Sequence, residues 1–209
     1  GRADLLRDAM DAWQNNRPHA LLDHYRYLQA RWGLDGKPLV ELMQAMLMEQ
    51  EEVRMRSEAQ LLEYCHGVAG TIGLMLCPIF GVNDKKALEH ANNLGIAMQL
   101  TNICRDVRED AENDRIYLPA SLFSSALTIA DITSGDGDSR ESCTVAKERL
   151  LQMADELYAS ADAGIDYLPL RVRIVVRWAS RMYREIGTVI RSEPEHFHEN
   201  RAVVKGSKK

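Results

Sequence analysis

The sequence lacks the features that are typical of secreted proteins, of proteins stabilised by a structural metal and of nucleic-acid-binding proteins. It contains only four cysteines, and none of them forms a C-x-x-C pair or fits a zinc or disulfide framework. The N-terminal stretch does not have the charged-then-apolar layout of a signal peptide. The net charge is −5 at pH 7, so the sequence has no overall excess of basic residues that would favour binding to nucleic acid. These absences favour a cytoplasmic protein that binds no nucleic acid.

Long uninterrupted apolar runs are also missing. The longest uncharged stretch, residues 67–83, contains several glycines and Pro78, which favours a buried helix over a membrane span. The one basic cluster is the C-terminal stretch RAVVKGSKK. Such a tail is typical of solvated chain, and the alternative is contact with an anionic membrane surface or a phosphate. A peripheral membrane contact therefore stays open, and the oligomeric state cannot be predicted.

No segment shows the period-2 alternation of a strand, so we predict an all-α fold in a single domain over residues 1–209. A polar stretch with two glycines, residues 134–142, predicts a mobile loop. Asn83 is the expected cap of the helix that follows it. Helices are predicted near residues 2–15, 18–31, 37–56, 58–77, 84–111, 142–164 and 168–191.

One predicted helix carries a narrow polar line on an otherwise apolar surface. In QLTNICRDVREDAENDRIYLP, residues 99–119, the polar positions Gln99, Asn102, Asp106 and Asp110 are three, four and four residues apart. This spacing places them on one face of a helix. Two aspartates one turn apart repel each other by a few tenths of a kcal/mol, and polar groups inside a core need partners. A bound cation would supply that partner.

Magnesium fits this line of oxygen atoms, because it uses one or two carboxylates together with waters and substrate phosphates. Asn102, Asp106 and Asp110 would provide the oxygens, and manganese is an alternative ion. Nearby Arg105, Arg108 and Arg115 could bind phosphate oxygens. The competing interpretation is that the two aspartates are solvated charges at an acidic helix end.

A second stretch is rich in small residues. Gly67, Gly70 and Gly73 lie within a predicted helix, where each glycine costs up to about 1 kcal/mol relative to alanine. Two interpretations remain open on spacing alone. The glycines allow close helix packing, or they shape the wall of a tunnel for a long apolar ligand, with the ring and hydroxyl of Tyr64 at that wall.

These stretches together resemble the squalene and phytoene synthase family of head-to-head isoprenoid synthases. The segment YCHGVAGTIG (64–73) resembles one family signature, and LGIAMQLTNICRDVREDAENDRIYLP (94–119) resembles the signature that contains the distal aspartate-rich motif. The segment SRMYREIGTVIR (180–191) resembles the C-terminal helix. The residues of these motifs are more similar to those of the phytoene, dehydrosqualene and presqualene-diphosphate synthases than to those of the eukaryotic squalene synthases.

The resemblance implies an all-α, isoprenoid-synthase-type helical bundle around a central cavity. It implies a magnesium-dependent prenyltransferase that joins two prenyl diphosphates through a cyclopropyl diphosphate intermediate. The expected reaction converts two molecules of geranylgeranyl diphosphate to phytoene. The first aspartate-rich motif is not found. Asp4 and Asp8 have its spacing, but their surroundings resemble the helix that follows it. We therefore expect the chain to be the C-terminal two-thirds of such a fold, and this part alone to be inactive.

The resemblance also implies site residues, position by position. Asp106 and Asp110, helped by Asn102, would bind the metal. The catalytic set would be Tyr64, Arg105, Asp106, Asp110 and Tyr117. Substrate-binding positions would be Gln99, Asn102, Arg115, Tyr183, Arg201 and Gly70.

Two other functions remain open at this stage. A family member without activity could work as a binding or assembly factor, which the missing first motif favours. A di-iron helical bundle is suggested by the E-x-x-H spacing of Glu63 with His66 and of Glu193 with His196. Pro194 falls inside the second pair and argues against a regular helix there.

Overall fold

The computed structural model describes residues 1–192, which form an almost entirely helical structure. Arg201, Glu193, His196 and the basic tail lie outside the described residues. The α-helices are α1 (Arg2–Gln14), α2 (Ala20–Trp32), α3 (Lys37–Met48), α4 (Glu58–Cys65), α5 (Thr71–Ile79), α6 (Lys85–Glu112), α7 (Ile129–Ser134), α8 (Gly137–Gly164) and α9 (Leu170–Ser192). The short elements are strands β1 (Val53–Arg54) and β2 (Arg115–Ile116), a π-helical turn (His66–Gly70) and 3-10 turns at Ala120–Leu122 and Ile165–Tyr167.

The long helices α6 and α8 pack against each other and carry most of the core. Leu100 of α6 and Leu150 of α8 are completely buried between them. The hydroxyl groups of Thr101 and Tyr158 are 3.0 Å apart in this interface, so each buried polar group has a partner. Helices α5 and α9 also contact α6. Helix α6 is therefore the central element, and its side chains reach several different surfaces.

Helix α6 begins at a strong cap. The side chain of Asp84 accepts hydrogen bonds from the backbone nitrogens of Lys86 and Ala87, at 2.8 and 3.2 Å. Asp84 is therefore the cap, and the sequence-based prediction of Asn83 was wrong by one residue. At 28 residues the helix is roughly 42 Å long. Its first half lies against α5, and its C-terminal end carries the acidic residues of the candidate site.

The glycine-rich stretch packs closely against α6. A β-carbon built on Gly73 would lie 2.5 Å from the carbonyl oxygen of Ala91, and one on Gly95 would lie 2.4 Å from that of Ala69. Backbones that approach this closely leave no space for a side chain. At Gly73 the glycine therefore allows close packing of two helices, as in the first of the two interpretations. The predicted helix 58–77 is divided into α4, the π turn and α5, and it continues to Ile79 with Pro78 inside.

The prediction of a helix over residues 37–56 was wrong beyond Met48. Helix α3 ends there, and Val53 and Arg54 pair in parallel with Arg115 and Ile116 of β2. Arg54 donates to the backbone and side-chain oxygens of Asp114, at 2.7 and 2.6 Å. This short pairing positions the chain that follows α3 beside the chain that follows α6.

The prediction of a mobile loop over residues 134–142 was also wrong. Helix α8 begins at Gly137, and its cap Asp136 accepts a hydrogen bond from the Ser139 nitrogen at 2.9 Å. Thr128 and Asp131 form a capping box at the start of α7. Polar residues that suggest a loop serve here as helix caps, which satisfy the free backbone donors of a first turn.

One helical stretch in the described part of the chain, Glu58–Ile79, is long and apolar enough to cross a membrane by length and composition, and about a third of its apolar window is buried. A core helix of a soluble protein passes the same test. Here the stretch packs against α3 and α6.

Candidate active site

Two of the predicted acidic residues lie on one face near the C-terminal end of α6, in different surroundings. Asp106 accepts two hydrogen bonds from the guanidinium group of Arg105, at 2.8 and 2.6 Å. The side chains of this pair are only 13% and 16% exposed, for Arg105 and Asp106 respectively. Bonding to Asp106 raises the pKa of Arg105 above its ordinary value. The two charges are therefore held together at the site and are not solvated surface groups.

Asp110 lies one turn further along α6, against apolar side chains. A cavity of about 10 Å³, the size of one water molecule, separates it from part of the core. Burial, with a smaller contribution from the negative charge of Asp106, raises the pKa of Asp110 to about 7. The nearby charge of Arg115 acts in the opposite direction. Among residues 1–192, Asp110 thus has no full counter-charge. The cavity is lined by Ile103, Val107, Asp110, Ile116, Tyr117, Leu118 and Ile132.

Asn102 lies one turn before Asp106 and has a buried acceptor. Its amide nitrogen donates to Gln99 at 3.4 Å, but its side-chain oxygen has no hydrogen-bond partner among residues 1–192. A buried oxygen without a donor carries a desolvation cost of about 1 to 3 kcal/mol. A cation bound beside Asp106 and Asp110 would use this oxygen, so the donor set fits the magnesium prediction.

Two tyrosines and a glutamate form a hydrogen-bonded cluster beside these acids. The hydroxyl group of Tyr64 donates to the Oε1 atom of Glu49 in a short hydrogen bond. The hydroxyl group of Tyr117 is 3.1 Å from the same oxygen and 3.2 Å from the hydroxyl oxygen of Tyr64. The two rings stack with centroids 5.0 Å apart. Strand pairing between β1 and β2 brings Tyr117 to this place.

Both tyrosines remain protonated at neutral pH. Burial raises the pKa of Tyr64 well above its usual range, and the bond to Glu49 adds to that effect. Burial also raises the pKa of Tyr117 to about 12. Each phenol can therefore donate a hydrogen bond and present an uncharged ring, while the carboxylate accepts.

The remaining predicted residues are distributed around this centre. Arg115 and Tyr183 are half-buried, and the positive charge of Arg115 acts to lower the pKa of Asp110. Gly70 is buried against α6, where a β-carbon would lie 2.1 Å from the Asn92 side-chain oxygen. A role for Gly70 in substrate binding stays a prediction, as does the role of Arg201, which lies outside the described residues.

Comparison with known proteins gives the chain its family. The sequence profile of the squalene/phytoene synthase family matches residues 2–208. The chain belongs to that family. A 15-cis-phytoene synthase of Enterobacter agglomerans is 42% identical over 141 residues, covering 67% of this chain and 47% of that protein. A 15-cis-phytoene synthase of a Paracoccus strain is 38% identical over 217 residues, covering 99% of this chain and 68% of that protein.

Solved structures of the squalene/phytoene synthase family agree with the fold. Squalene synthase HpnC from Alicyclobacillus acidocaldarius superposes with a TM-score of 0.75 over 91% of this chain and 71% of its own, at 20% identity. A dehydrosqualene synthase solved with a ligand gives a TM-score of 0.71 over 90% of this chain and 68% of its own, at 24% identity. The all-α fold prediction is confirmed. The chain spans about half the length of the first curated relatives it matches.

The residue that the sequence-based reasoning missed is Glu49. It lies in the acidic stretch MEQEEV, directly after α3, where nothing in the spacing separates it from Glu51 or Glu52. Glu51 and Glu52 are exposed, whereas Glu49 bonds both tyrosines. Its distance of 15 residues from Tyr64 has no helical regularity, so only the fold reveals the contact.

Two cavities border the helices that carry this candidate site. One of about 320 Å³ opens beside Tyr64 and Gly67, between α3 and the α4–π turn segment. The other has a volume of about 100 Å³ and an almost wholly apolar wall, between α5, the first half of α6 and the α8–α9 connection. Its walls include Leu76, Phe80, Ala91, Leu94 and Leu168.

The di-iron interpretation finds no support in the described residues. His66 does not meet a set of carboxylates, because its nitrogens contact the Asn92 side-chain oxygen at 2.6 Å and Glu41 at 3.2 Å. No group of three or more His, Cys, Asp or Glu side chains that could hold a metal occurs in residues 1–192. Two carboxylates on α6 suffice for a magnesium ion that is also held by substrate phosphates.

Proposed function

We propose that this chain carries one wall of the active site of a magnesium-dependent prenyltransferase. Its reaction joins two prenyl diphosphates head to head through a cyclopropyl diphosphate, and the phytoene synthases among its relatives favour geranylgeranyl diphosphate as the substrate. The observation that carries the proposal is the row of oxygens on α6. Asn102, Asp106 and Asp110 lie half-buried on successive turns. Within the described range 1–192, the Asn102 side-chain oxygen has no hydrogen-bond partner and Asp110 has no full counter-charge.

The oxygens of Asn102, Asp106 and Asp110 would hold the magnesium ion. When bound, the ion offsets the negative charge of the leaving diphosphate and lowers the barrier to breaking its carbon–oxygen bond. The manganese ion has similar ligand preferences and is an alternative. Asp106 already bonds Arg105 in a bidentate pair, so its carboxylate is oriented before any ion binds.

The arginines at this site have a separate role. Arg105 is fixed by Asp106 and keeps further N–H donors that can bind a phosphate oxygen. Arg115 lies close enough to Asp110 to lower that group's pKa. Both would orient the diphosphate so that charge developing on the leaving oxygens meets donors already in place.

The tyrosine cluster would act on the hydrocarbon end of the substrate. Neutral aromatic rings attract a cation at their faces, and the stacked rings of Tyr64 and Tyr117 are held by Glu49. The carboxylate of Glu49 can accept a proton that is lost from the carbocation, directly or through the Tyr64 hydroxyl. Apolar walls around these groups exclude the water that would quench the cation.

The apolar cavity at the other end of α6 would accept a prenyl tail. The helical rise puts Ala91, in its wall, roughly 22 Å from Asp106 along the axis. A chain of several isoprene units is required to extend that far from a diphosphate held at the acidic end. Thus the separation favours a long prenyl substrate over a short one.

The test is turnover of labelled geranylgeranyl diphosphate and farnesyl diphosphate by the 209-residue chain, with magnesium and with EDTA. Turnover would be seen as magnesium-dependent diphosphate release with a hydrocarbon or cyclopropyl product identified by mass spectrometry. Equilibrium binding of a non-hydrolysable thio-diphosphate analogue is measured in parallel. Magnesium-dependent binding without turnover supports the site and assigns completion of the reaction to residues outside this chain. Absence of both binding and turnover contradicts the proposal.

A further inference from the structure

The α6–α8 interface contains a lysine that the proposed reaction does not use. Lys147 of α8 is only 3% exposed, although lysine is almost never fully buried unless it is paired. Within residues 1–192, no carboxylate forms an ion pair with its side chain. A buried ammonium group without a counter-charge is strongly disfavoured, and the group loses its proton instead.

Two titratable groups beside Lys147 supply no charge. They are the thiols of Cys104 on α6 and of Cys143, one turn earlier on α8, and both are buried. Burial raises the pKa of Cys104 to about 12 and that of Cys143 to about 11, so both stay protonated at neutral pH. The thiols therefore leave the lysine in apolar surroundings.

Lys147 also lines a cavity of about 170 Å³ in the groove between α8 and the last turn of α9. This volume is several times the roughly 10 to 15 Å³ that holds one water molecule. Glu148 lines the same cavity, but its carboxylate pairs with Arg191 at 2.9 Å, and Asp155 pairs with the same guanidinium at 2.8 Å. Arg191 thus engages both of these carboxylates, and within residues 1–192 neither of them forms an ion pair with Lys147. The walls of the cavity are Thr144, Lys147, Glu148, Leu151, Ile190 and Arg191.

We propose that Lys147 is a covalent binding site for small aldehydes, which its side-chain amine captures in this cavity. An uncharged amine has a free lone pair and is a nucleophile at neutral pH, whereas an exposed ammonium is not. The size of the cavity restricts the ligand to a few heavy atoms. Burial lowers the pKa of Lys147 below its ordinary value.

The capture is a condensation. The Nζ atom attacks the carbonyl carbon, the carbon–oxygen double bond becomes a hydroxyl group, and a carbinolamine forms. Loss of that hydroxyl together with the nitrogen-bound hydrogen gives a carbon–nitrogen double bond and one water molecule. No oxidant or reductant is required, and the step is reversible in the absence of a trapping reagent.

Competitive labelling of the whole chain tests this site. The folded protein is treated with limiting ¹³C-formaldehyde and cyanoborohydride, which reduces an imine to a stable amine, and each lysine is quantified by peptide mass spectrometry. The exposed Lys85 and Lys86 are the internal controls. At pH 7 we expect Lys147 to be labelled faster than Lys86, because burial lowers its pKa and leaves a larger fraction of its amine uncharged. Its rate should rise less steeply with pH than theirs.

A second variant separates the cavity from the amine. Thr144→Leu narrows the cavity, so labelling of Lys147 should fall severalfold while labelling of Lys85 and Lys86 and the helical circular dichroism stay unchanged. Lys147→Met confirms the assignment of the labelled peptide. The proposal is overturned if Lys147 is labelled no faster than Lys86 at pH 7, or if Thr144→Leu leaves its rate unaltered. No outcome depends on the prenyltransferase reaction.

Discussion

Two pairs of aspartates in this chain share one spacing and have opposite environments. Asp4 and Asp8 lie on α1, and their side chains are 76% and 57% exposed. Asp106 and Asp110 lie on α6, where the first is 16% exposed and the second is half-buried. Both pairs read D-x-x-x-D. The same spacing of four residues therefore occurs at a solvent-exposed surface in α1 and at the edge of the core in α6.

The difference lies in what surrounds each pair. Asp8 reaches Arg17 at 3.1 Å and His19 at 3.4 Å, in a cluster open to solvent. Water screens such charges, and pairs of this kind contribute little to stability. Asp110 has apolar neighbours, and burial raises its pKa to about 7. Only the α6 pair has a cost that a bound cation would remove.

The largest expected contrast is in metal-dependent chemistry. In an active form of the enzyme, Asp106→Asn should lower magnesium-dependent diphosphate release by about 10²- to 10³-fold, because a preorganised charge at the leaving group is lost. Asp4→Asn is the matched control and should stay within twofold of the parent. Diphosphate release is measured for both variants, with circular dichroism to confirm the helical content. Equal loss in both variants would show that spacing, and not environment, decides the function.

The second contrast is in the stability of the metal-free protein. In the folded state the carboxyl group of Asp110 has a pKa of about 7, against 3.8 for an ordinary aspartate. The native state therefore holds more protons between those pH values, and stability falls as the pH rises through this window. Asp110→Asn should remove a penalty of about 2 to 4 kcal/mol at pH 8, whereas Asp8→Asn should change little.

Urea unfolding in EDTA at pH 5 and pH 8 measures this effect. The parent should lose stability between the two values and the Asp110→Asn variant should not. Magnesium should restore part of the parent's stability at pH 8, because a ligand that binds only the folded state stabilises it. A parent that is equally stable at both pH values would mean that Asp110 titrates as an exposed acid.

The same comparison applies to basic residues. Burial lowers the pKa of Lys147, so the unfolded state binds more protons, and stability should rise with pH as the pH approaches 10.5. Lys147→Met should stabilise the protein by about 1 to 3 kcal/mol at pH 7 and remove that rise. Lys86→Met, at an exposed position, should leave the urea midpoint almost unaltered. A destabilised Lys147→Met variant would indicate an ionic partner for this lysine.

The sequence predicted the helices and the family because both depend on local patterns. The apolar spacing around Gln99 and Asn102 indicates a helix with one polar face, and the motifs at 64–73 and 94–119 are continuous in the chain. The structure confirms the all-α fold. It also keeps Asp106 and Asp110 at the edge of the core, away from bulk solvent.

The features that were not predicted depend on contacts distant in sequence. Glu49 meets Tyr117 across 68 positions, and the pairing of β1 with β2 brings them together. A two-residue strand is too short to show alternation, so the end of α3 could not be located. Asp136 looks like a loop residue until its role as a helix cap is seen, since caps and loops favour the same residue types.

The smallest expected effect is at the exposed pair itself. Arg17 bonds both Asp8 and Asp11 across the outer side of α1, with its side chain 47% exposed. Arg17→Gln should lower the Tm by no more than about a degree or two, because solvent screens the pair and the side chains lose entropy on pairing. In 1 M salt, where the Debye length is about 3 Å, the difference should disappear. Arg149→Gln, which breaks an exposed pair with Glu58, is the matched control. A larger loss that persists in high salt would show that the acids of α1, like those of α6, are held in an organised site.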